Sequence, residues 1–130
     1  MLAGLTISNA RTTAVHSISY PLTVYYGVPH GLACSLILPS VIRYNDGAMA
    51  SYKQTLLLNS LGFGSMDQLA DEIESIQSHM GLPVTLKQAG LTADDIPVII
   101  ENGFRPDRIS NNPRKLSVGD LKSLLENIVG

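Results

Sequence analysis

Apolar residues recur every three or four positions along nearly the whole chain, with almost no alternation of period two, and this spacing predicts helices rather than strands. From Met1 to about Tyr20, the apolar positions Leu2, Leu5, Ile7 and Val15 with small residues between them predict a closely packed helix that Pro21 ends. No Ser, Thr, Asp or Asn cap stands ahead of that pattern, as expected for a chain that begins partway through an element. Leu22 to Val28, with Tyr25, Tyr26 and Gly27, reads as an extended connection or a short helical turn.

Pro29 suits the first position of a helix, where its missing N–H costs nothing, so a helix from about Pro29 to Arg43 is expected, with His30 in its first turn. Pro39 falls inside it and should remove one backbone bond and kink it, and Asn45-Asp46-Gly47 supplies a turn afterwards. The next helix, about Ala48 to Leu61, carries Leu57, Leu58 and Leu61 and stops at Gly62. Ser65 and Gln68 then form a capping box, followed by a buried stripe of Met66, Leu69, Ile73, Ile76 and Met80 and a stop at Gly81 and Pro83. His79, beside that stop, complements the helix dipole.

Thr92 and Asp95 repeat the capping pattern, with the helix starting at Ile96 or Pro97. Phe104 to Lys115, with two prolines and a Ser-Asn-Asn run, reads as a surface loop. Ser117 caps the last helix, Asp120 favours its positive end, and Leu121, Leu124, Leu125 and Ile128 share one face. The expected fold is therefore all-α, a helical bundle.

With 130 residues, 45% of them hydrophobic and 15% charged, the chain has the material for one domain with a real core. A net charge of -2, with acids and bases interspersed, leaves no basic stripe for nucleic acid and no polybasic patch for a membrane. No signal peptide or membrane-spanning run is legible, so a cytoplasmic location is expected. The single cysteine, Cys34, has no partner for an intramolecular disulfide, and its apolar neighbours predict a small buried side chain rather than a reactive thiol.

Candidate chemistry rests on His16 and His30, fourteen positions apart. His16 lies about one turn before the expected helix end at Pro21 and His30 opens the next helix, so a short connection could fold the two imidazoles toward one point. Neutral imidazole suits iron, zinc, copper or nickel. Spacing alone does not separate such a pair from two unrelated histidines, one packed on a helix and one at a helix start. Catalytic metals usually keep three protein ligands, so a pair would hold an ion weakly.

The runs Ala14-Val15-His16, Pro21-Leu22, Pro29-His30-Gly31-Leu32-Ala33, Leu38-Pro39 and Arg43-Tyr44-Asn45 resemble the iron-containing alcohol dehydrogenase family. Weaker similarity continues through Gly81-Leu82-Pro83, Leu91 to Ile96 and Asn111-Asn112-Pro113-Arg114, so it spans essentially the whole chain. The resemblance implies the helical C-terminal domain of the dehydroquinate synthase-like fold over residues 1–130. It also implies that His16 and His30 are the last two of four ligands to a divalent metal, iron(II) or alternatively zinc. Members place the other two ligands, an aspartate and a histidine, upstream, together with an α/β domain whose glycine-rich loop binds NAD or NADP. No such loop is legible here, since Gly62-Phe63-Gly64 follows a helix rather than a strand. The expectation is a domain of a longer enzyme, lacking its dinucleotide-binding part and holding no metal firmly. An apolar patch near Leu22 to Val28 should mark the interface with that part, with self-association through it.

The implied reaction interconverts a small alcohol and aldehyde, with metal polarisation of the substrate oxygen and hydride transfer at the adjacent carbon. Many members have a histidine where this chain has Tyr20, four residues after His16. A phenol still donates a hydrogen bond but shuttles protons poorly near neutrality, so a histidine relay is not carried over. Arg11-Thr12-Thr13 replaces a more usual glycine-containing run and, with Ser19-Tyr20-Pro21, is similar to the branch that reduces phosphonoacetaldehyde. Arg11, Thr12, Thr13 and Tyr20 are thus candidate substrate contacts, with a guanidinium and hydroxyls suited to a phosphonate. Equally, the threonines pack on a helix turn and Arg11 lies in solvent. A zinc-dependent polyol dehydrogenase, a sugar-phosphate cyclase domain and a non-catalytic helical interaction module stay open beside the alcohol dehydrogenase reading.

Overall fold

The computed structural model describes residues 12–130. Among the described residues, seven α-helices follow one another: α1 (Ala14–Tyr26), α2 (His30–Tyr44), α3 (Ser51–Leu61), α4 (Met66–His79), α5 (Ile96–Gly103), α6 (Pro106–Ile109) and α7 (Val118–Asn127), with a 3-10 turn at Ala93–Asp95. No strand occurs among the described residues, so the all-α expectation holds. The positions Leu2, Leu5, Ile7 and Arg11 lie outside the described residues.

Pro21 does not end the first helix: α1 runs through it to Tyr26, and of the two readings of Leu22 to Val28, an extended connection or a short helical turn, the helical one holds as far as Tyr26, as a continuation of α1. Proline in a helix leaves the carbonyl four residues back without its N–H partner, here that of Ser17. Tertiary packing outweighs that loss, because Pro21 and Leu22 are buried and α5 comes up against this turn. A side chain on Gly103 would stand 3.3 Å from the Pro21 ring and from Ile18 Cα, and the Ser17 hydroxyl donates to the Gly103 carbonyl at 2.6 Å. The helix stops instead at Gly27, whose left-handed backbone (φ 69°) lets the N–H of Val28 reach the carbonyl of Leu22.

Pro29 is extended and sits just before α2 rather than in its first position, its carbonyl accepting the Ala33 N–H. Pro39 lies inside α2 as expected and is buried. The principal core joins Ala14, Ile18 and Leu22 of α1 to Ala33, Leu36, Ile37 and Val41 of α2, Ile96 and Ile99 of α5, and Leu121 and Leu125 of α7. The capping boxes at Thr92–Asp95 and Ser117–Asp120 are both formed, and the Ser117 hydroxyl and N–H bonds hold the Asp120 carboxyl below its usual pKa.

A smaller core of Leu58, Met66 and Leu69 sits between α3 and α4. Ser65 caps α4 by accepting from the Gln68 N–H, but Gln68 reaches back to the Gly64 N–H, one residue further than a capping box predicts. The expected stripe on α4 holds at Met66, Leu69 and half-buried Ile73 and then fails: Ile76 and Met80 are exposed and Gln77 is buried. Polar contacts to α2 turn the helix this way. Gln77 donates to the Ser35 hydroxyl at 2.9 Å, and Arg43 binds Glu74 at 2.6 Å and Asp71 at 2.5 Å, contacts that raise the Arg43 pKa, the Glu74 hydrogen bond foremost.

The expected surface loop Phe104 to Lys115 contains α6, and two of its side chains are buried, Ile109 and Asn112. Asn112 and Asn45 exchange side-chain amide hydrogen bonds at 2.7 and 3.0 Å, and Asn45 also accepts the Arg114 N–H. A buried amide with every partner supplied tolerates desolvation that an unpaired one would not. Of the patch expected at Leu22 to Val28, Val24 and Tyr25 are exposed, but Leu22 and Val28 belong to the core. A larger exposed apolar group lies on α3, with Tyr52, Leu56, Leu57 and Leu61. No helix among the described residues is long and apolar enough to cross a membrane.

Candidate metal centre

Gly27 turns the chain back and extended Pro29 carries it alongside α1, so α2 begins beside the first half of its predecessor. Ala14, Ser17 and Ile18 face the core, which leaves His16 on the outer side of α1, and His30 stands exposed in the first turn of α2. The two rings approach to 5.5 Å between centroids, tilted by 55°. Cys34, one turn after His30, completes the group, and one donor atom from each of the three lies within 4.8 Å of the others. Cys34 Sγ is 3.6 Å from His30 Nε2 and 3.2 Å from the hydroxyl of buried Ser19. Ser19 in turn donates to the His16 carbonyl at 3.2 Å, so the same side chain touches both helices of the centre.

Two imidazoles and a thiol are donors for a borderline or soft cation, not for magnesium or calcium, which take oxygen. Their chemistry fits a divalent transition metal or zinc, and the exposure of both histidines leaves one side of such an ion open for further ligands.

Tyr20, one turn beyond His16, is half exposed and lines a cleft of about 280 Å³ with Ser17, Asn102, Arg105, Asp107 and Arg108. The Tyr25 hydroxyl donates to Asn102 at 2.9 Å and fixes that wall. Thr13 caps α1 by its extended backbone without a side-chain bond, and the Thr12 carbonyl accepts from Asn111 at 3.4 Å. Thus the fold brings His16 and His30 together with Tyr20 close by, and sets Thr12 and Thr13 at the start of α1. His79 ends α4, its Nδ1–H donating to the Ser75 carbonyl at 2.7 Å.

Three features were missed from sequence. Cys34 is only half-buried and faces the histidines rather than the core; its i,i+4 spacing from His30 was the available signal. Arg105 and Arg108 fall in a segment whose composition reads as loop, although Pro106 marks a helix start, and both line the cleft with Tyr20.

Fold and donors together define a class: an all-helical domain carrying the ligand side of a candidate metal site. The chain belongs to the Fe-containing alcohol dehydrogenase family, whose C-terminal part it matches over residues 1–129. It is 31% identical over 133 residues to 1,3-propanediol dehydrogenase of Citrobacter freundii, covering 97% of this chain and 34% of that protein. It is 26% identical over 130 residues to lactaldehyde reductase of Escherichia coli K12, covering 95% of this chain and 34% of that protein. Among solved structures, the sulfoacetaldehyde reductase of Bifidobacterium kashiwanohense in complex with NAD+ superposes with a TM-score of 0.81 at 30% identity, over 92% of this chain and 31% of that one. The chain therefore spans about a third of the length of the relatives it matches.

Proposed function

We propose that residues 1–130 form the helical part of a metal-dependent, NAD(P)-linked alcohol dehydrogenase or aldehyde reductase, in which His16 and His30 are metal ligands. The convergence of these two exposed imidazoles from separate helices, 5.5 Å apart, carries this reading. The remaining ligands and the dinucleotide site would lie in the part of the relatives that this chain does not span. A bound iron(II) or zinc ion would supply Lewis acidity to the substrate oxygen, beside a nicotinamide as hydride partner. The chain's own residues would do the rest. Each imidazole would give one ring nitrogen, with buried Ser19 of α1 reaching both the His16 carbonyl and Cys34 of α2. The Tyr20 phenol, one turn along from His16, donates a hydrogen bond at the rim.

The purified 130-residue chain, loaded with iron(II) or zinc, is expected to show no NADH- or NADPH-dependent aldehyde reduction above background. Robust turnover by this chain alone would overturn the division of labour.

The cleft beside Tyr20 favours an anionic substrate. Arg105 and Arg108 outnumber Asp107 there, and a guanidinium pairs well with a phosphonate or sulfonate. In a chimera joining this chain to the nucleotide-binding domain of a related dehydrogenase, phosphonoacetaldehyde should exceed propionaldehyde in kcat/KM by about tenfold or more, the worth of one charge-assisted hydrogen bond. Arg105→Ala should erase most of that preference. Equal kcat/KM for the two aldehydes would remove the idea.

A further inference from the structure

The geometry points to Cys34 as a third metal donor, making this face of the chain a two-imidazole, one-thiolate site that selects zinc(II) over iron(II). The inference rests on the reading of His16 and His30 as ligands and adds to it a donor from within the same chain. A cysteine four residues after His30 projects from the same side of α2, and its sulfur lies 3.6 Å from His30 Nε2. Sulfur and nitrogen bound to one tetrahedral zinc, at about 2.3 and 2.0–2.1 Å from the metal, stand about 3.5 Å from each other. The sulfur and His30 are therefore already spaced as two ligands of one ion, and the exposed His16, with all three donors within 4.8 Å, needs only a small side-chain adjustment to join them.

The surroundings of the sulfur suit this role. The hydroxyl of buried Ser19 sits 3.2 Å from Sγ and can turn its hydrogen toward a thiolate, orienting it as an outer partner orients a ligand. As the sulfur–metal bond forms, the thiol proton passes to solvent. Within this chain alone, three donors would hold an ion more firmly than a pair does. A thiolate and the intrinsic order of divalent-metal affinities both favour zinc over iron(II).

Anaerobic titration of the reduced 130-residue chain with cobalt(II) tests this. A near-ultraviolet thiolate-to-cobalt charge-transfer band is expected, displaced by stoichiometric zinc(II) but not by equimolar iron(II). Cys34→Ser should abolish the band and weaken zinc(II) binding at least tenfold, and His16→Ala and His30→Ala should each weaken it further. Saturating zinc(II) should also shield Cys34 in the unaltered chain from alkylation by iodoacetamide, a measurement that needs no variant to fold. A chain without the band, undiminished alkylation in zinc(II), or unchanged zinc affinity in Cys34→Ser overturns the third-donor proposal and leaves the histidine pair standing. Unchanged zinc affinity in both histidine variants overturns the pair and the proposal together.

Discussion

Alanine at His16, in a chimera of this chain with the nucleotide-binding domain of a related dehydrogenase, should lower kcat/KM for aldehyde reduction by about a thousandfold or more while the melting temperature of the metal-free protein stays put. Lewis-acid stabilisation of a developing alkoxide is worth several kcal/mol, and each 1.36 kcal/mol is a factor of ten in rate, so losing about 4 kcal/mol gives that magnitude. The fold has little stake in the side chain. His16 is exposed on α1, between core residues Ala14 and Ile18 that keep their packing, and surface substitutions of this kind usually stay within about 0.5 kcal/mol. Metal content measured on the same preparation should fall with activity, and His30→Ala should behave alike. Retention of activity and metal by both variants would show that the imidazoles converge without binding.

The opposite signature belongs to Gly103→Val, where the expected loss is of stability. Even a Cβ at this position meets Ile18 Cα and the Pro21 ring at 3.3 Å and the Ser17 carbonyl at 3.4 Å, two of these being backbone atoms that cannot swing aside. A branched side chain must push α5 away from α1, breaking the 2.6 Å bond from the Ser17 hydroxyl to the Gly103 carbonyl and opening the core around Ile18 and Ile99. Overpacking of this kind costs about 3 kcal/mol, or roughly 10 °C in melting temperature for a domain of this size. Thermal unfolding followed by circular dichroism reads it directly. A melting temperature unchanged by valine would mean that α1 and α5 do not approach as closely as described.

These two positions also show what could be read in advance. The last helix was legible because Ser117, Asp120 and the apolar face from Leu121 to Ile128 all point the same way, local propensity agreeing with burial. The capped start at Thr92 and the stop at Gly81 were legible for the same reason. Pro21 misled because a rule about local backbone bonding was set against burial of the proline ring, which only the three-dimensional contact with Gly103 reveals. On α4, Ile76 and Met80 carry the right hydrophobicity at the right period, yet Gln77 and Glu74 meet Ser35 and Arg43 on α2 and decide which face turns inward. Asn112 was invisible for a related reason: an asparagine in a turn-rich segment reads as surface, and nothing local announces a partner at Asn45, 67 positions away.

Of the candidate site, the histidine pair was legible through family resemblance and not through spacing, and its approach in space is a matter of the connector between the helices. Cys34 shows the converse limit. Its apolar neighbours Ala33, Leu36 and Ile37 are core residues, but a helix shows a different side at every position, and one residue on from Ala33 the side chain has left the interior.

The segment Gly27-Val28-Pro29 acts as a ruler. Because α2 takes its rotational phase from where this link delivers it, one inserted residue would turn the helix by about 100° relative to its start, carrying His30 and Cys34 around the axis and away from His16. Ala33, Leu36, Ile37 and Val41 ride the same helix, so such a turn would misplace the core face and the donor group together. The length of this link therefore sets packing and the approach of the donors at once. The turn at Asn45-Asp46-Gly47, which carries no donor, is free of the second constraint.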